Sequence, residues 1–343
     1  MANTYNVAFW NVENLFAPDG HPTRIDWMAR RLANQLKGWS PAIFERKISQ
    51  LAKVIAAMNG GQGPDLLGLC EVENRFVLDT LVAAVSGLLP GRDYRVVHAD
   101  SERDRRGIDT AFLFDHNRIA VNANEVFSHF VMRRTGTRDI LQATFTTTTG
   151  NEFIALANHW PSRRGGAHLS AGFRQTAGET LGYWHERIRE EKNDKRYPVI
   201  ALGDFNDEPF DPSMTVNARA TRVRSLVTRG TSARFLNLSW AYRDQRVDTT
   251  GRSRIVSGTL YYEGEPNLFD QILVSKGFLL EDSPITCDVR SARLDTIPEM
   301  VSRKSSEGPI RFGFPRKGQT DGYINLDGFS DHFPISLTLK EAS

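Results

Sequence analysis

Cysteine is almost missing. The 343 residues hold two, Cys70 and Cys287, too few for a disulfide framework or a thiolate metal cluster. Cys70 falls in the apolar run Leu66-Leu67-Gly68-Leu69-Cys70, where an inert buried thiol is expected. Long apolar runs are missing too: none approaches the ~18 residues of a membrane span. The opening Met1-Ala2-Asn3-Thr4-Tyr5-Asn6 lacks the basic and apolar regions of a signal peptide, so a cytoplasmic protein is expected. Charge of one sign is not in excess, because the formal net charge is +2, and no global polyanion-binding signature results. No repeat, low-complexity tract or clear linker divides the chain. One domain over 1–343 is expected, and no protein partner can be inferred.

What is present is unevenly placed. From Arg219 to Arg254 there are nine Arg, no Lys and two acids, Asp244 and Asp248, a local balance of +7. Such a stretch is either a solvated face or a phosphate-facing rim, since guanidinium forks match phosphate oxygens. Short apolar runs at Tyr5–Trp10, Leu66–Cys70, Thr110–Phe114, Leu141–Thr147, Phe153–Asn158, Val199–Leu202, Phe269–Val274 and Phe333–Leu339 read as strands, several buried on both faces. Phe44, Ile48, Leu51, Ile55 and Met58 recur at helical spacing, as do Phe173, Ala177, Leu181, Trp184 and Ile188, and Val77–Leu89 reads as a further helix. Long loops are expected at 17–41, 210–258 and 297–328, and loops of that length are commonly functional. The alternation implies an α/β fold.

The run Leu202-Gly203-Asp204-Phe205-Asn206-Asp207-Glu208-Pro209 poses the functional question. Taken alone it is a surface turn or the polar mouth of a rigid sheet. Other strands end in the same manner: Asn11 to Asn14, Glu71 to Asn74, and His159 to Gly166. Asp270 opens a strand, and Ser330-Asp331-His332 precedes the last one. Such a set is hard to explain as independent turns.

The order and spacing of these motifs, from Asn11 to His332, resemble the endonuclease/exonuclease/phosphatase superfamily. The resemblance implies a four-layer α-β-β-α sandwich of two mixed sheets, DNase I-like, with the active site at one end. It implies a phosphoesterase that uses Mg²⁺, with Mn²⁺ as a substitute, through oxygen ligands. Glu71 would be the ligand, with Asn11 beside it and Asp331 completing the site directly or through water. Asp204 would be the base for the attacking water, and Asn206 would donate to a phosphoryl oxygen or orient the water. His159 and His332 would stabilise developing charge or protonate the leaving group. Asp270 would pair with His332, and Asp109 is the nominee to pair with His159. Arg163 and Arg164 could clamp phosphate, with only one expected to touch it, and Asn158 would bind substrate or brace the site. In many relatives one residue separates that amide from the histidine, whereas here Asn158 directly precedes His159. The tyrosine of abasic-site nucleases has no equivalent near Arg105-Arg106-Gly107, which disfavours that activity. The leading expectation is a phosphodiesterase cleaving nucleic acid, with DNA as substrate. The alternatives are a phosphatase or phosphodiesterase for a small-molecule or lipid phosphate, and an inactive binding scaffold.

Overall fold

The strand Asn3–Leu15 is buried at every position from Tyr5 to Glu13, and a strand buried on both faces must lie between two layers. The computed structural model describes residues 3–100, 106–132, 137–163, 166–316 and 318–341. It places this strand inside a six-stranded mixed sheet ordered Ile285–Leu294, Ile335–Glu341, Asn3–Leu15, Leu66–Val72, Asp109–Asp115, Tyr94–His98. A second, seven-stranded sheet runs Ile119–His129, Ile140–Thr147, Glu152–His159, Val199–Asp204, Asp270–Val274, Phe235–Asn237, Ala220–Thr221. The sheets face each other. Phe112 of the first meets Phe145 of the second edge-on at 5.5 Å. Gly68 lies so close to the opposite sheet that a Cβ there would come within 2.3 Å of Leu202 Cδ1.

Helices form the outer layers. Ala167–Glu191 sets Ala177, Leu181 and Ile188 against Ile154, Leu156, Val199 and Ala201 of the second sheet. Pro41–Gly61 and Arg75–Leu88 bury their apolar stripes in the core cluster of the first. Pro41 suits the first helical turn, and the Ser40 hydroxyl accepts from the Ile43 amide at 3.3 Å. The described residues thus form an α/β sandwich of two mixed sheets, with no closed barrel among them. Among the described residues no helix is long and apolar enough to cross a membrane.

The long segments depart in part from expectation. The 17–41 stretch contains the helix Asp26–Leu36. The 210–258 stretch contributes Ala220–Thr221 and Phe235–Asn237 to the second sheet, plus a hairpin of Gln245–Asp248 with Ser253–Val256. The 297–328 stretch is mostly irregular, held by bridges such as Val301 to Pro309 and Gly313 to Ile324.

The outer helix also carries a titration that acts on stability. His185 is buried and stacked on Phe235 at 3.9 Å. Burial, reinforced by Arg189 and Arg219, lowers its pKa to about 3. The fold therefore favours neutral imidazole. Its contribution is complete above the ordinary value of 6.5 and is lost as pH falls towards 3. His185→Phe keeps an aromatic ring and removes the proton site. Urea unfolding should show the variant losing about 2 kcal/mol less than wild type between about pH 6.5 and 4.5. Parallel pH dependences in the two proteins would refute this.

Candidate active site

The two sheets bring their polar strand ends to one place by register. In the second sheet His159 pairs with Asp204 on one side, and Asp270 pairs with Asp204 on the other. Gly203 permits this approach, since a Cβ there would lie 2.3 Å from the Asn158 carbonyl oxygen. In the first sheet the ladder is interrupted after Asn11 and after Cys70. Non-glycine residues take left-handed φ there, +53° at Glu13, +56° at Asn14 and +66° at Glu71, as does Asn206 at +52° across the site. Strained backbone of this kind concentrates at functional sites.

The side chains converge on Asp204. Its Oδ2 accepts from Asn11 Nδ2 at 3.0 Å, and its Oδ1 accepts from the Asn206 amide at 3.0 Å. His159 Nε2 lies 3.8 Å and His332 Nε2 4.0 Å from the same Oδ2. Both are beyond hydrogen-bond reach. Burial raises the Asp204 pKa to about 6, and Asp270 and Glu71 add to that while His332 opposes it.

The histidines are driven to opposite states. His332 Nδ1 lies 2.7 Å from Asp270 Oδ2. Burial disfavours its cation, but Asp270, Asp204 and Asp331 together outweigh that and hold its pKa well above the ordinary value. Its backbone is locked as well: its amide donates to Ser330 Oγ, that hydroxyl donates to the Asn11 carbonyl, and Trp10 Nε1 donates to the His332 carbonyl. His159 is pushed well below the ordinary value by burial and by Arg138, Arg106 and His332. A cationic and a neutral imidazole flank one carboxylate, a division suited to acid–base work.

Glu71 Oε2 accepts from the Asn14 amide at 2.8 Å, while Oε1 meets Arg106 at 3.5 Å and His159 at 3.7 Å. Burial works against the Glu71 carboxylate, yet Arg106, His332 and Arg138 outweigh it and lower its pKa. Asp331 Oδ1 sits 3.9 Å from His332 Nε2, and burial with the charges of Glu13 and Glu71 raises its pKa to about 7. Glu71 and Asp331 are close enough to raise the proton affinity of Asp331, and carboxylate oxygens are the donors a hard divalent cation takes. Asn11 is more engaged, since its Oδ1 also accepts from the Glu13 amide at 3.0 Å.

The sequence match extends the argument from the site to the chain. The model of the Endonuclease/Exonuclease/phosphatase family matches residues 6–341. The chain belongs to this family. Proteins of the family hydrolyse phosphoester bonds and are generally divalent-metal dependent. In fold, this family member is similar to an endonuclease/exonuclease/phosphatase family protein of Bacteroides thetaiotaomicron, at 15% identity, covering 100% of this chain and 99% of that one, with a TM-score of 0.55. It is similar also to the mannosyl-6-phosphatase Bt3783 of the same organism, at 16% identity, 98% and 99% coverage and a TM-score of 0.53. A humanized D. rerio TDP2 aligns at 15% identity over 98% of each chain, with a TM-score of 0.55. No curated protein sequence matches the chain.

Other expected site residues of this family member are held by the protein's own groups. Arg163 does not point a free fork at the site. It pairs with Asp207 at 2.9 Å and with Asp211 at 2.5 Å, and donates to the Asn206 carbonyl. Arg164 lies outside the described residues. Both ends of the Asn158 amide are engaged locally, donating to the Leu156 carbonyl at 2.9 Å and accepting from Trp160 Nε1 at 3.1 Å, so it braces the strand end. Asn206 Nδ2 donates to the Trp160 carbonyl at 3.1 Å. Among the described residues nothing hydrogen-bonds the buried Nδ1 of His159, so the expected pairing with Asp109 is not formed. Asp109 Oδ2 lies 3.6 Å from His98 Nε2 instead. With Asp100 these two form the group, among the described residues, whose ligand atoms lie within 4.8 Å of one another and could hold a cation.

The arginine-rich stretch is largely tied to the protein. Arg219 pairs with Glu186, Arg224 donates to the Leu279 carbonyl, and Arg254 donates to the Ser302 carbonyl. Two residues near the centre carried no motif, the buried Arg138 and the half-exposed Arg106. Arg138 donates to the Trp160 carbonyl at 2.9 Å, and both add positive potential beside Glu71 and His159.

Proposed function

We propose that the chain acts as one domain, a cytoplasmic Mg²⁺-dependent phosphodiesterase that hydrolyses DNA with an activated water. The observation that carries this reading is the placement of Asp204. A carboxylate with its pKa raised to about 6, oriented by Asn11 and the Asn206 amide and flanked by two imidazoles, has the features of a general base. Asp204 takes the proton of the attacking water as the water oxygen bonds to phosphorus, the phosphorus–oxygen bond to the departing sugar oxygen breaks, and that oxygen takes up a proton from solvent. His332, kept cationic by Asp270, donates to a non-bridging phosphoryl oxygen, and that interaction strengthens as charge develops. His159, neutral and held in place by burial, lines the opposite side of the same oxygen. Glu71 and Asp331 would hold the cation, with Asn11 beside them. Bound there, a divalent ion supplies charge neutralisation for the phosphate. Mn²⁺ is expected to substitute for Mg²⁺.

A second reading, a phosphatase for a small phosphate ester, draws support from the fold shared with a mannosyl-6-phosphatase. One assay separates the two. Supercoiled plasmid, single-stranded DNA, a chromogenic phosphodiester and a hexose phosphate are incubated with Mg²⁺ or Mn²⁺, with EDTA as control. DNA cleavage abolished by EDTA supports the nuclease; turnover of the small esters alone selects the phosphatase. Glu71→Gln retains an oxygen for the Asn14 amide and removes the ligand charge. The Mg²⁺ concentration for half-maximal rate should rise at least about tenfold, and an unchanged metal requirement would remove Glu71 from the metal site.

A further inference from the structure

A cleft of about 810 Å³ opens beside Asp331, between the hairpin of Leu260–Tyr262 with Glu265–Asn267 and the irregular stretch from Ser306 to Asn325. Its volume is within the range of small-molecule sites. The hairpin is fastened to the candidate active site. Leu260 bridges to His332, the Phe333 amide donates to the Thr259 carbonyl at 2.8 Å, and the Asp270 amide donates to Thr259 Oγ1 at 3.1 Å. The cleft therefore adjoins the candidate active site through Asp331, which lines it and directly precedes His332.

The walls of the cleft are largely aromatic, with Arg311 as the lining cation and Glu307 and Asp331 as lining acids. Tyr262 and Tyr323, among the exposed large side chains at 65% and 40%, both line it. The Arg316 guanidinium lies 5.8 Å over the Tyr323 ring. Phe314 lines it from a rigid base, packed on Phe16 at 5.4 Å and Trp39 at 5.3 Å. Arg311, anchored to buried Glu13, keeps most of its side chain exposed at 63%. Aromatic faces next to guanidinium groups are how proteins hold unpaired bases along a charged backbone. A base within a duplex presents no free face.

We infer that this cleft stacks an unpaired nucleobase next to the scissile phosphate, which makes the substrate a single-stranded nucleic acid or an unpaired strand end. The inference rests on the nuclease reading and names its substrate class. The test compares KM for a single-stranded oligonucleotide, an abasic strand of the same length and the blunt duplex, with Mg²⁺ and with Mn²⁺. Wild type should show a KM at least about tenfold lower for the base-bearing strand than for the abasic one. The double variant Tyr262→Ala/Tyr323→Ala should bring that ratio close to one, and Tyr262→Phe/Tyr323→Phe should restore it. Cleavage of both strands with equal KM, a ratio that survives the alanine variant, or a preference for duplex would overturn the cleft assignment and leave the nuclease standing. No cleavage of any strand with either metal would overturn both.

Discussion

Asp204→Asn should lower the rate of phosphoester cleavage by about 10²–10⁴-fold, the usual contribution of a general base, while substrate binding changes little. The variant should also fold. An asparagine carbonyl can still accept from the Asn206 amide, as Oδ1 does now at 3.0 Å. The new NH₂ group would then face Asn11 Nδ2, whose acceptor partner today is Asp204 Oδ2. Asn11 cannot simply flip, because its Oδ1 holds the Glu13 amide. The cost is one buried hydrogen bond, about 1 kcal/mol, far less than the catalytic loss. The wild-type pH profile should point the same way. A base raised to about 6 is competent when deprotonated, so activity is present above that value and falls as pH drops through it. Single-turnover cleavage and equilibrium binding, measured on both proteins, decide the matter. A variant rate within tenfold of wild type would remove Asp204 from the base role.

Much of this site was legible in the sequence because its residues sit where buried strands stop. Strands sandwiched between layers read as continuous apolar runs, and a polar residue directly after such a run stands out, as Asp204, His159 and Glu71 do. Three of the strands that escaped notice lie at the sheet edges. Tyr94–His98, Ile119–His129 and Ile285–Leu294 each expose part of one face, so their apolar residues never form a run. The helix Asp26–Leu36 escaped for a related reason, as only Leu32 and Leu36 are buried. Pairing between distant side chains was least legible. Nothing near Arg163 in sequence announces Asp207 and Asp211, and the His98–Asp109 contact joins positions whose proximity is set by strand pairing. The acids beside the motifs show the same gap. A regular strand would point Asn11 and Glu13 to one face, and likewise Glu71 and Glu73. Left-handed φ at Glu13 and Glu71 breaks that alternation. Glu73 turns away to hold Arg24 and accept the Ala17 amide at 2.6 Å, fastening the 17–41 stretch.

Glu13 does the equivalent for the loop beside Asp331, and removing it should cost the fold more than any other single truncation considered. The side chain is 1% exposed. Oε1 accepts two bonds from Arg311, at 2.9 and 2.7 Å, and Oε2 accepts the amides of Phe312 and Gly313 at 3.0 and 3.1 Å. Lys47 Nζ, wholly buried, lies 3.8 Å away and donates to the Phe329 carbonyl at 2.8 Å. Burial already lowers the Lys47 pKa to about 8, with Glu13 opposing. Glu13→Ala would strand that ammonium and leave two buried amides without their acceptor, a loss of about 3–5 kcal/mol. Urea unfolding should show a lower midpoint with an unchanged slope. Glu13→Gln keeps an acceptor oxygen and should fall between wild type and the alanine variant. The decisive comparison is Glu13→Ala/Lys47→Met. If the stranded cation dominates the loss, replacing it with an apolar side chain of similar length recovers part of the stability. A double variant no more stable than Glu13→Ala would assign the loss to the unpaired amides of the loop instead.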